Sequence, residues 1–472
     1  MILRHKNREL LRYEWTETGG IRLLTVEDSV RKFLPLEFGD AALAGNEQAL
    51  ESALADWLNH RTAPMGRHFM RDLMASLGLN MRDPAFHRKA LAFSRGLSLN
   101  DAYWTVPDEF ASSWEDCNLY ANEFSKSMAE IAFSGHGSRR VGEVTTSPEM
   151  TTNGMLPKCW RRVNGRVLLY KGGTGGVGEN RGLEPYSEFY AAQIAEALGF
   201  SHVEYGLARY KGSLCSTCPL FTSERIGYLP AARFPDRRAV LQDPRFSEIF
   251  LFDALVFNTD RHLGNFGYLV DNETNQIVGA APIFDNGFGL FALADCDSAD
   301  PNPDFCSLKG YLRGKHPALF DHWLGFADGL DKRLLKSVER LRGFRFRIHP
   351  HYNLPRERLA VLERFLQKRV SDILEYGLKA DDCLKIKETR VGVKNKIEGS
   401  DVGVNGNNFD SLALQMIWNM KVNPSVTARE LAGILCVEVR TVERRLRTLR
   451  ERGVVRRVGA AKTGHWDVLV EF

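Results

Sequence analysis

The spacing of apolar residues changes character along the chain. In residues 1–140, apolar residues recur at helical spacing in segments such as 50–57, which predicts a mainly helical region packed on the rest of the protein. From residue 141, short β-rich runs alternate with helical patterns, and the apolar run 246–257 predicts a buried helix. Residues 384–408 are rich in Lys, Gly, Asn and Val without a clear period, so we interpret them as a linker.

Residues 409–472 have the pattern of a small separate domain. Thr427 to Glu430 form a capping box that predicts the start of a helix, and residues 439–452 form a second, amphipathic helix. Two strand-like runs, 454–458 and 465–470, come after this helix and predict a hairpin. Two helices and a hairpin in this order are typical of a winged helix-turn-helix domain.

The composition is that of a globular protein with ample chain for a core. The 472 residues are 44% hydrophobic and 26% charged, and the length alone suggests about three domains. No apolar run reaches the roughly 18 residues that a membrane span needs, and the charged start MILRHKNREL has no secretory pattern. Eight Cys in such a chain do not indicate a disulfide framework. We therefore expect a cytoplasmic protein with reduced thiols and no membrane partner.

Positive charge is concentrated near the C-terminus. The net charge is +4, and residues 409–472 contain eleven Lys/Arg against seven Asp/Glu. A basic winged-helix module predicts DNA binding, and the alternative is the same fold used for dimerisation or docking. The candidate DNA contacts lie on the polar face of the second helix and in the hairpin loop: Arg440, Thr441, Arg444, Arg447 and Lys462.

Two polar motifs form the main candidate for chemistry. Asp260 to Asn265 has the D-x-x-x-x-N spacing of a kinase catalytic loop, and Asp285 precedes Asn-Gly where a metal-binding D-x-G motif would lie. Residues 268–270 and 277–282 suit a hairpin that brings Asn265 and Asp285 to one end. Phosphoryl transfer from ATP needs one carboxylate to orient the acceptor hydroxyl, and an Asn and a second Asp to hold Mg²⁺.

A lysine and a glutamate upstream complete the set. Lys171 ends a strand-like run, and Glu188 lies on the next predicted helix. A kinase needs such a Lys to neutralise the α- and β-phosphates of ATP, and a Glu to hold that Lys in place. Glu184 is an alternative partner for Lys171. Each motif alone is common by chance, but the ordered set predicts an ATP-dependent phosphotransferase.

The sequence around these motifs resembles the HipA-like serine/threonine kinases of bacteria. The resemblance covers most of residues 20–380, and its most telling stretches are SPEMTTNGMLPKCW, LLYKGG, LEPYSEFYAAQIAEALGF, FNTDRHLGNFG and APIFDNGFGLF. The D-R-H-x-x-N spelling is also similar to the catalytic loop of phosphatidylinositol 3/4-kinases. Two features depart from eukaryotic protein kinases: the phosphate loop has a single Gly, and the metal Asp is followed by Asn rather than Phe.

The resemblance implies a role for each candidate residue. In chain order, Lys171 would bind the ATP phosphates, Glu188 would hold Lys171, Asp260 would be the catalytic base, and Asn265 and Asp285 would ligate Mg²⁺. The family's phosphate loop matches Gly154 to Lys158, and the adenine-contacting hinge would lie around Thr222 to Glu224. Some members of the family phosphorylate their own phosphate loop, which makes Thr151 and Thr152 candidate acceptors here.

These patterns together predict an α+β protein with a two-lobed, protein-kinase-like body. We expect an N-terminal accessory region at 1–140, a catalytic domain at 141–383, the linker, and the winged-helix domain at 409–472. The catalytic domain would divide into an N-lobe at about 141–224 and a C-lobe at about 225–383.

The predicted function is transfer of the ATP γ-phosphoryl group, with Mg²⁺, to a Ser or Thr hydroxyl of a protein. The winged-helix module adds DNA as a second partner and suggests a toxin-like or regulatory role. One alternative is a transcription regulator that senses nucleotide through a kinase fold, and another is a small-molecule or lipid kinase. The sequence does not specify the acceptor or the oligomeric state.

Overall fold

The structure is a computed structural model of the chain. It describes all residues except 18, 65, 138–146, 176–181, 242, 259, 293–331, 392–415, 417–419, 421–425, 429–430, 432–438, 460–463 and 470–472. At 237–238 and 376–391 the description covers the backbone. The described residues form two compact units, one that ends at Lys379 and one that starts at Ala380.

The chain begins with a four-stranded sheet in the order β3-β2-β1-β4, and all of its pairings are antiparallel. Its strands are β1 Ile2–His5, β2 Arg8–Trp15, β3 Ile21–Val26 and β4 Tyr103–Val106. The expectation of a helical N-terminal region is therefore incomplete, because it did not include this sheet. The reason lies in β2, where the consecutive Leu10 and Leu11 are both buried, so the strand lacks the alternation that marks a half-buried strand.

Helices cover this sheet and complete the N-terminal region. The α-helices described in this region are α1 Gly39–Leu43, α2 Glu47–Asn59, α3 Met70–Ser76, α4 Phe86–Ser94, α5 Trp114–Cys117 and α6 Lys126–Ser134. In α2, Leu50, Leu54 and Trp57 recur at helical spacing and are buried in one core with β2. The Asn46 side chain accepts a hydrogen bond from the Ala49 N–H at 3.0 Å and caps the helix.

A second antiparallel sheet, in the order β5-β6-β8-β7, carries the strand that ends near Lys171. Its strands are β5 Lys158–Val163, β6 Arg166–Gly172, β7 Gly206–Tyr210 and β8 Ser213–Pro219. The register places Lys158 directly opposite Lys171. Helix α7, Glu184–Leu198, lies between β6 and β7 in the chain and ends at Gly199, whose φ of +74° suits a residue without Cβ.

A third sheet, β11-β10-β9, carries the two polar motifs at one end. Its strands are β9 Ile226–Pro230, β10 Gly267–Asp271 and β11 Gln276–Ala280, and the short helix α8 Arg237–Leu241 comes after β9. Helix α9, Ser247–Val256, is buried at every position from Ile249 onward, as its apolar run predicts. This helix ends immediately before the catalytic-loop motif.

Two further helices, Lys332–Glu339 and Arg356–Val391, come later in the chain. The second extends eight residues into the stretch interpreted as a linker, where Leu, Lys, Glu and Arg are good helix formers. The rest of that stretch, 392–408, lies outside the described residues. In the part of the chain that the structure describes, no helix is both long enough and apolar enough to cross a bilayer.

The second unit contains the helix Val439–Glu451 and the antiparallel hairpin β12 Val455–Val458 and β13 His465–Val468. Val442, Leu446 and Leu449 of the helix are buried with Trp466 of the hairpin. The Trp466 indole N–H donates to the Val426 carbonyl at 2.9 Å. Most of the preceding predicted helix, including part of its capping box, lies outside the described residues, as does Lys462.

Candidate active site

The catalytic-loop motif occupies the turn between α9 and β10. The Asp260 N–H donates to Asn258 Oδ1 at 3.2 Å, and the Asn265 N–H donates to the His262 carbonyl at 2.9 Å. The Asn265 side chain reaches back to the Asp260 carbonyl, with Nδ2 at 3.4 Å from the oxygen. His262 Nδ1 accepts from the Gly264 N–H at 3.0 Å, so this imidazole braces the turn. The loop is thus ordered by its own polar groups.

The β10–β11 hairpin brings the second motif next to this loop. The Ala281 N–H donates to the Gly267 carbonyl at 2.8 Å, which continues the pairing beyond the strands. Arg261 Nη1 then donates to the Asn265 carbonyl at 2.8 Å and to the Phe284 carbonyl at 2.7 Å. One guanidinium therefore joins the end of the catalytic loop to the residue before Asp285.

Arg261 is itself held by a buried carboxylate. Its Nε and Nη2 donate to the two carboxylate oxygens of Asp253 at 2.8 and 3.0 Å, and neither side chain is exposed to solvent. Nη2 also donates to Asn286 Oδ1 at 2.7 Å. Burial raises the pKa of Asp253, in opposition to the lowering effect of Arg261. The sequence patterns did not reveal this pair, although an Arg directly after the candidate catalytic Asp was a visible signal.

Lys171 lies at the centre of the predicted phosphotransfer set. Its Nζ is 2.7 Å from Glu188 Oε1 and also contacts Asp285 Oδ1. The other Glu188 oxygen accepts from the Asn286 N–H at 2.7 Å. Glu184, the alternative partner, instead accepts from the Thr174 N–H at 3.1 Å. In this structure the lysine is therefore paired with Glu188 and Asp285.

Mutual electrostatics set the ionisation of this cluster. Burial opposes the charge of Lys171, but the carboxylates of Asp285 and Glu188 outweigh it and raise the lysine pKa. Burial would also raise the pKa of Asp285, yet Lys171 and then Lys158 overcome this effect and lower it. Burial raises the pKa of Glu188, in opposition to Lys171. Asp285 thus stays ionised and available to a cation.

The backbone around Asp285 is held in a form that few residues adopt. Asp285 has a φ of +56°, in the left-handed region, and its N–H donates to the Tyr205 hydroxyl oxygen at 3.1 Å. A Cβ at Gly287 would lie 3.3 Å from the Glu184 Cβ, which is a tight contact, and 3.4 Å from Glu188 Oε1. Such local constraints are typical of functional sites, because the surrounding contacts must compensate for them.

Asn265 and Asp285 offer the oxygen donors of a metal site. An amide oxygen and a carboxylate are the hard ligands that Mg²⁺ accepts. Among the described residues, no group of three or more His, Cys, Asp and Glu side chains is arranged to hold a metal. A site with only a few protein ligands suits Mg²⁺, because this ion keeps several waters and is also coordinated by the substrate phosphates in nucleotide sites. The donor set therefore fits Mg²⁺ better than a structural metal.

The predicted phosphate loop lies at the start of β5. Gly154 has a φ of +93°, and a Cβ there would come within 2.1 Å of Lys158 Nζ. This ammonium donates to the Asn153 carbonyl at 2.9 Å. Burial, and then the positive charge of Lys171 on the neighbouring strand, lower the pKa of Lys158 to about 7. Gly154 is therefore required for the lysine to fold back under the loop.

Arg67 of the N-terminal region forms hydrogen bonds with both ends of this loop. Its guanidinium donates to the carbonyls of Glu149 at 2.8 Å and Lys158 at 2.6 Å, one at each end of the loop. It also forms an ion pair with the Glu149 carboxylate at 3.2 Å, and both side chains are fully buried. Sequence reasoning missed Arg67, because nothing in the local pattern of the N-terminal region marks it as part of a site.

The predicted hinge and autophosphorylation residues also contact the N-terminal region or the loop itself. Thr222 Oγ1 donates to the Leu99 carbonyl at 2.5 Å, and Glu224 accepts from the Trp114 indole N–H at 2.8 Å. Thr151 is buried, and its hydroxyl donates to the Leu97 carbonyl at 2.8 Å. The Thr152 hydroxyl donates to the Pro148 carbonyl at 2.6 Å. All four side chains are thus engaged in protein contacts.

The candidate DNA contacts lie in the second unit. Arg440, Arg444 and Arg447 are exposed on the helix Val439–Glu451, whereas Thr441 is half-buried. The helix buries its apolar positions against the hairpin, so these arginines project from the rest of its surface. Their spacing of three to four residues places them close together on a helix.

No protein-family model matches the sequence, whereas curated proteins and solved structures include partial relatives of it. The chain is 26% identical over 155 residues to the serine/threonine-protein kinase CtkA of Helicobacter pylori, across 27% of this chain and 47% of the relative. It thus spans about half the length of that curated relative. The crystal structure of a Helicobacter pylori proinflammatory kinase CtkA gives a TM-score of 0.36 at 18% identity, over 49% of this chain and 93% of that chain. A chain in the structure of the Shewanella oneidensis toxin–antitoxin system HipA, HipB and its operator DNA complex gives a TM-score of 0.41 at 13% identity. The match covers 79% of this chain and 99% of that chain.

The Arg261–Asp253 pair yields a stability prediction. In Asp253→Asn, the buried guanidinium loses its counter-charge, and we expect the larger unit to lose about 3–5 kcal/mol of unfolding free energy. The matched control is Asp372→Asn, which removes a partly exposed ion pair with Lys368 and should cost under about 1 kcal/mol. Chemical denaturation monitored by tryptophan fluorescence measures both. Equal, small losses in the two variants would contradict the bracing role of Arg261.

Proposed function

We propose that the chain is a HipA-like, ATP-dependent serine/threonine protein kinase. The observation that carries the proposal is the cluster in which Lys171 contacts both Glu188 and Asp285 beside the D-x-x-x-x-N loop. These residue types in this order are the ones that transfer of a γ-phosphoryl group requires. The partial similarity to CtkA, which is named a serine/threonine-protein kinase, supports the same activity.

In the proposed reaction, Asp260 orients the acceptor hydroxyl and takes its proton. The hydroxyl oxygen bonds to the γ-phosphorus while the bond to the bridging oxygen breaks, and ADP leaves. Burial raises the pKa of Asp260, although His262 acts in the opposite direction, and a higher pKa makes the carboxylate a better proton acceptor. Mg²⁺ held by Asn265 and Asp285 would neutralise the charge that develops on the phosphoryl group.

The remaining residues bind and position the nucleotide. Lys171 neutralises the α- and β-phosphates, and Glu188 fixes the lysine from the side of α7. Gly154 and Lys158 line the phosphate loop that Arg67 holds in place. The side chains of Thr222 and Glu224 form hydrogen bonds with the N-terminal region. We therefore assign the adenine contact to the backbone of residues 222–224.

Transfer of labelled phosphate tests the activity directly. The full chain is incubated with γ-labelled ATP, Mg²⁺ and a bacterial protein extract, and labelled proteins are analysed for phosphoserine and phosphothreonine. We expect acid-stable label with the wild type and at least about a hundredfold less with Asp260→Ala, because general-base catalysis contributes roughly 10²–10⁴-fold. Asp40→Ala, an exposed aspartate of α1, is the matched control and should label like the wild type.

The outcomes separate the proposal from its alternatives. Label that depends on Asp260 but partitions into an organic extract would indicate a lipid acceptor. No transfer to any fraction by the wild type, together with ATP-dependent thermal stabilisation, would indicate a nucleotide sensor rather than an enzyme. Equal labelling by Asp260→Ala would overturn the assignment of the base.

The ionisation of Lys158 predicts proton uptake on nucleotide binding. With a folded pKa of about 7 against an ordinary value of 10.5, this lysine is mostly neutral at pH 8, and its burial costs stability that grows as the pH falls from about 10.5 to about 7 and is constant below that. Anionic phosphates favour the charged form, so MgATP binding at pH 8 should take up close to one proton, and at pH 6 almost none. Calorimetry in two buffers of different ionisation enthalpy measures the uptake. Lys158→Met should abolish it, and uptake that persists in this variant would refute the assignment.

We also propose that the second unit is a winged-helix module that binds DNA. The exposed arginines of the helix Val439–Glu451 support this role, because guanidinium groups bind phosphates and guanine edges. Thr441 and Lys462 belong to the same predicted surface. A kinase and a DNA-binding module on one chain suit a regulatory or toxin-like role.

Titration of a duplex DNA pool at several salt concentrations tests this module. Arg444→Ala and Arg447→Ala should each weaken binding and reduce the slope of log affinity against log salt by about 1, because each removes one phosphate contact. Arg22→Ala, which removes an exposed arginine of β3, is the control and should bind like the wild type. Absence of binding even at low salt would eliminate the DNA-binding role.

A further inference from the structure

A cavity of about 340 Å³ lies between the N-terminal region and the third sheet, inside the first unit. This volume falls in the range of ligand sites, roughly 300–1,000 Å³. Its walls come from the segments 35–37, 57–64, 98–103 and 227–233, with residues of β10 and of the turn after it. None of Lys171, Glu188, Asp260 and Asp285 lines it, so the cavity is distinct from the proposed phosphotransfer cluster.

The cavity nevertheless shares walls with both loops of that cluster. Thr151 and Asn153, which adjoin Gly154, line one side. Tyr228 of β9 lines another side, and its hydroxyl donates to the carbonyl of Gly264 in the catalytic loop at 3.0 Å. An occupant of the cavity would therefore lie against the nucleotide loop and one hydrogen bond away from the catalytic loop. A segment flanking the phosphate acceptor has to be held beside these two loops, because transfer requires the acceptor hydroxyl in a fixed position.

The charged groups of the lining already neutralise one another. Arg61 pairs with Asp101 at 2.6 Å, and Arg233 pairs with Glu37 at 2.5 Å. Paired charges do not select an ion as the occupant. Besides polar residues such as His60, His87 and Asn272, the wall has an apolar part that suits an uncharged side chain: Pro35, Leu36, Trp57, Leu229 and Val270.

Unpaired amide groups indicate the polar part of the occupant. The half-buried Asn100 and the exposed Asn153 both line the cavity, and neither side chain forms a hydrogen bond within the described part of the chain, so both are available to an occupant. Each carboxamide offers one acceptor oxygen and an NH₂ donor, which match the N–H and C=O of a peptide unit. The buried indole N–H of Trp57, on the same wall, also lacks a partner among the described residues.

We propose that this cavity binds a peptide segment of the protein acceptor, next to the Ser or Thr that is phosphorylated. The carboxamides of Asn100 and Asn153 hydrogen-bond its backbone, and the apolar wall takes a neighbouring uncharged side chain. This inference rests on the proposed kinase function and names the substrate class and the site that selects it. It also assigns the N-terminal region a role in substrate binding, because Leu36, Trp57 and Asn100 all belong to that region.

A cavity-filling variant with a matched control tests the proposal. Leu36→Trp places an indole in the cavity from a position outside the nucleotide loop, and Leu24→Trp makes the same change at an exposed position of β3 outside the lining. Asn100→Ala removes one carboxamide without adding volume. It tests the same proposal if Leu36→Trp does not fold. MgATP-dependent thermal stabilisation of each variant shows that the nucleotide site is intact.

The probe is a pool of degenerate peptides with a central Ser and one benzoylphenylalanine, cross-linked to the full chain by light and mapped by mass spectrometry. We expect cross-links in the segments 35–37, 57–64 or 227–230 of the wild type and of Leu24→Trp. They should fall at least about tenfold in Leu36→Trp, which corresponds to a loss of roughly 1.4 kcal/mol in binding. The abundance of these cross-links should also decrease in Asn100→Ala.

Two results would overturn the inference. Cross-links absent from these segments in the wild type, or equally abundant in Leu36→Trp, would show that the cavity does not hold the acceptor. Recovery of a tightly bound small molecule from the purified protein, displaced by Leu36→Trp but not by the peptides, would assign the cavity to a metabolite instead. In either case, retained MgATP stabilisation would leave the kinase proposal standing, whereas its absence in the wild type would remove that proposal separately.

Discussion

The buried ion pair between Arg261 and Asp253 is the interaction on which the arrangement of the candidate site depends. Through Arg261, helix α9 is connected to the carbonyls of Asn265 and Phe284 and to the Asn286 side chain. A guanidinium can serve this purpose because its five N–H groups lie in a fixed plane, which a lysine cannot reproduce. The two motifs that carry the proposed base and the proposed metal ligands are therefore aligned by a residue that does no chemistry in the proposed reaction.

The site concentrates charge that the protein keeps balanced. Lys158 and Lys171 are cross-strand neighbours, and like charges in that position repel each other. The carboxylates of Glu188 and Asp285 compensate Lys171, which keeps its proton, while Lys158 has its pKa lowered to about 7. One lysine thus keeps a fixed charge, and the charge of the other changes near neutral pH. This difference results from burial and pairing rather than from residue type.

The sequence predicted the parts of the site that local spacing encodes. Asp260, Asn265 and Asp285 could be predicted as neighbours because one loop and one hairpin connect them within 25 positions, and Lys171 and Glu188 because a strand and the next helix carry them. Arg67 and Glu149 could not, because they are 82 positions apart and meet only through the tertiary fold. The N-terminal sheet was missed for a related reason: β2 buries Leu10 and Leu11 together, which conceals the alternation of a strand.

The central claim is that Lys171, held by Glu188, forms a nucleotide site in this chain. Calorimetric titration with MgATP tests it most directly, with Lys171→Met compared with Lys336→Met, which removes an exposed lysine of the helix Lys332–Glu339. The account predicts saturable binding by the wild type and by Lys336→Met, and at least about tenfold weaker binding by Lys171→Met, because a buried phosphate contact is lost. Equal binding by all three proteins, or no binding by the wild type, would contradict it.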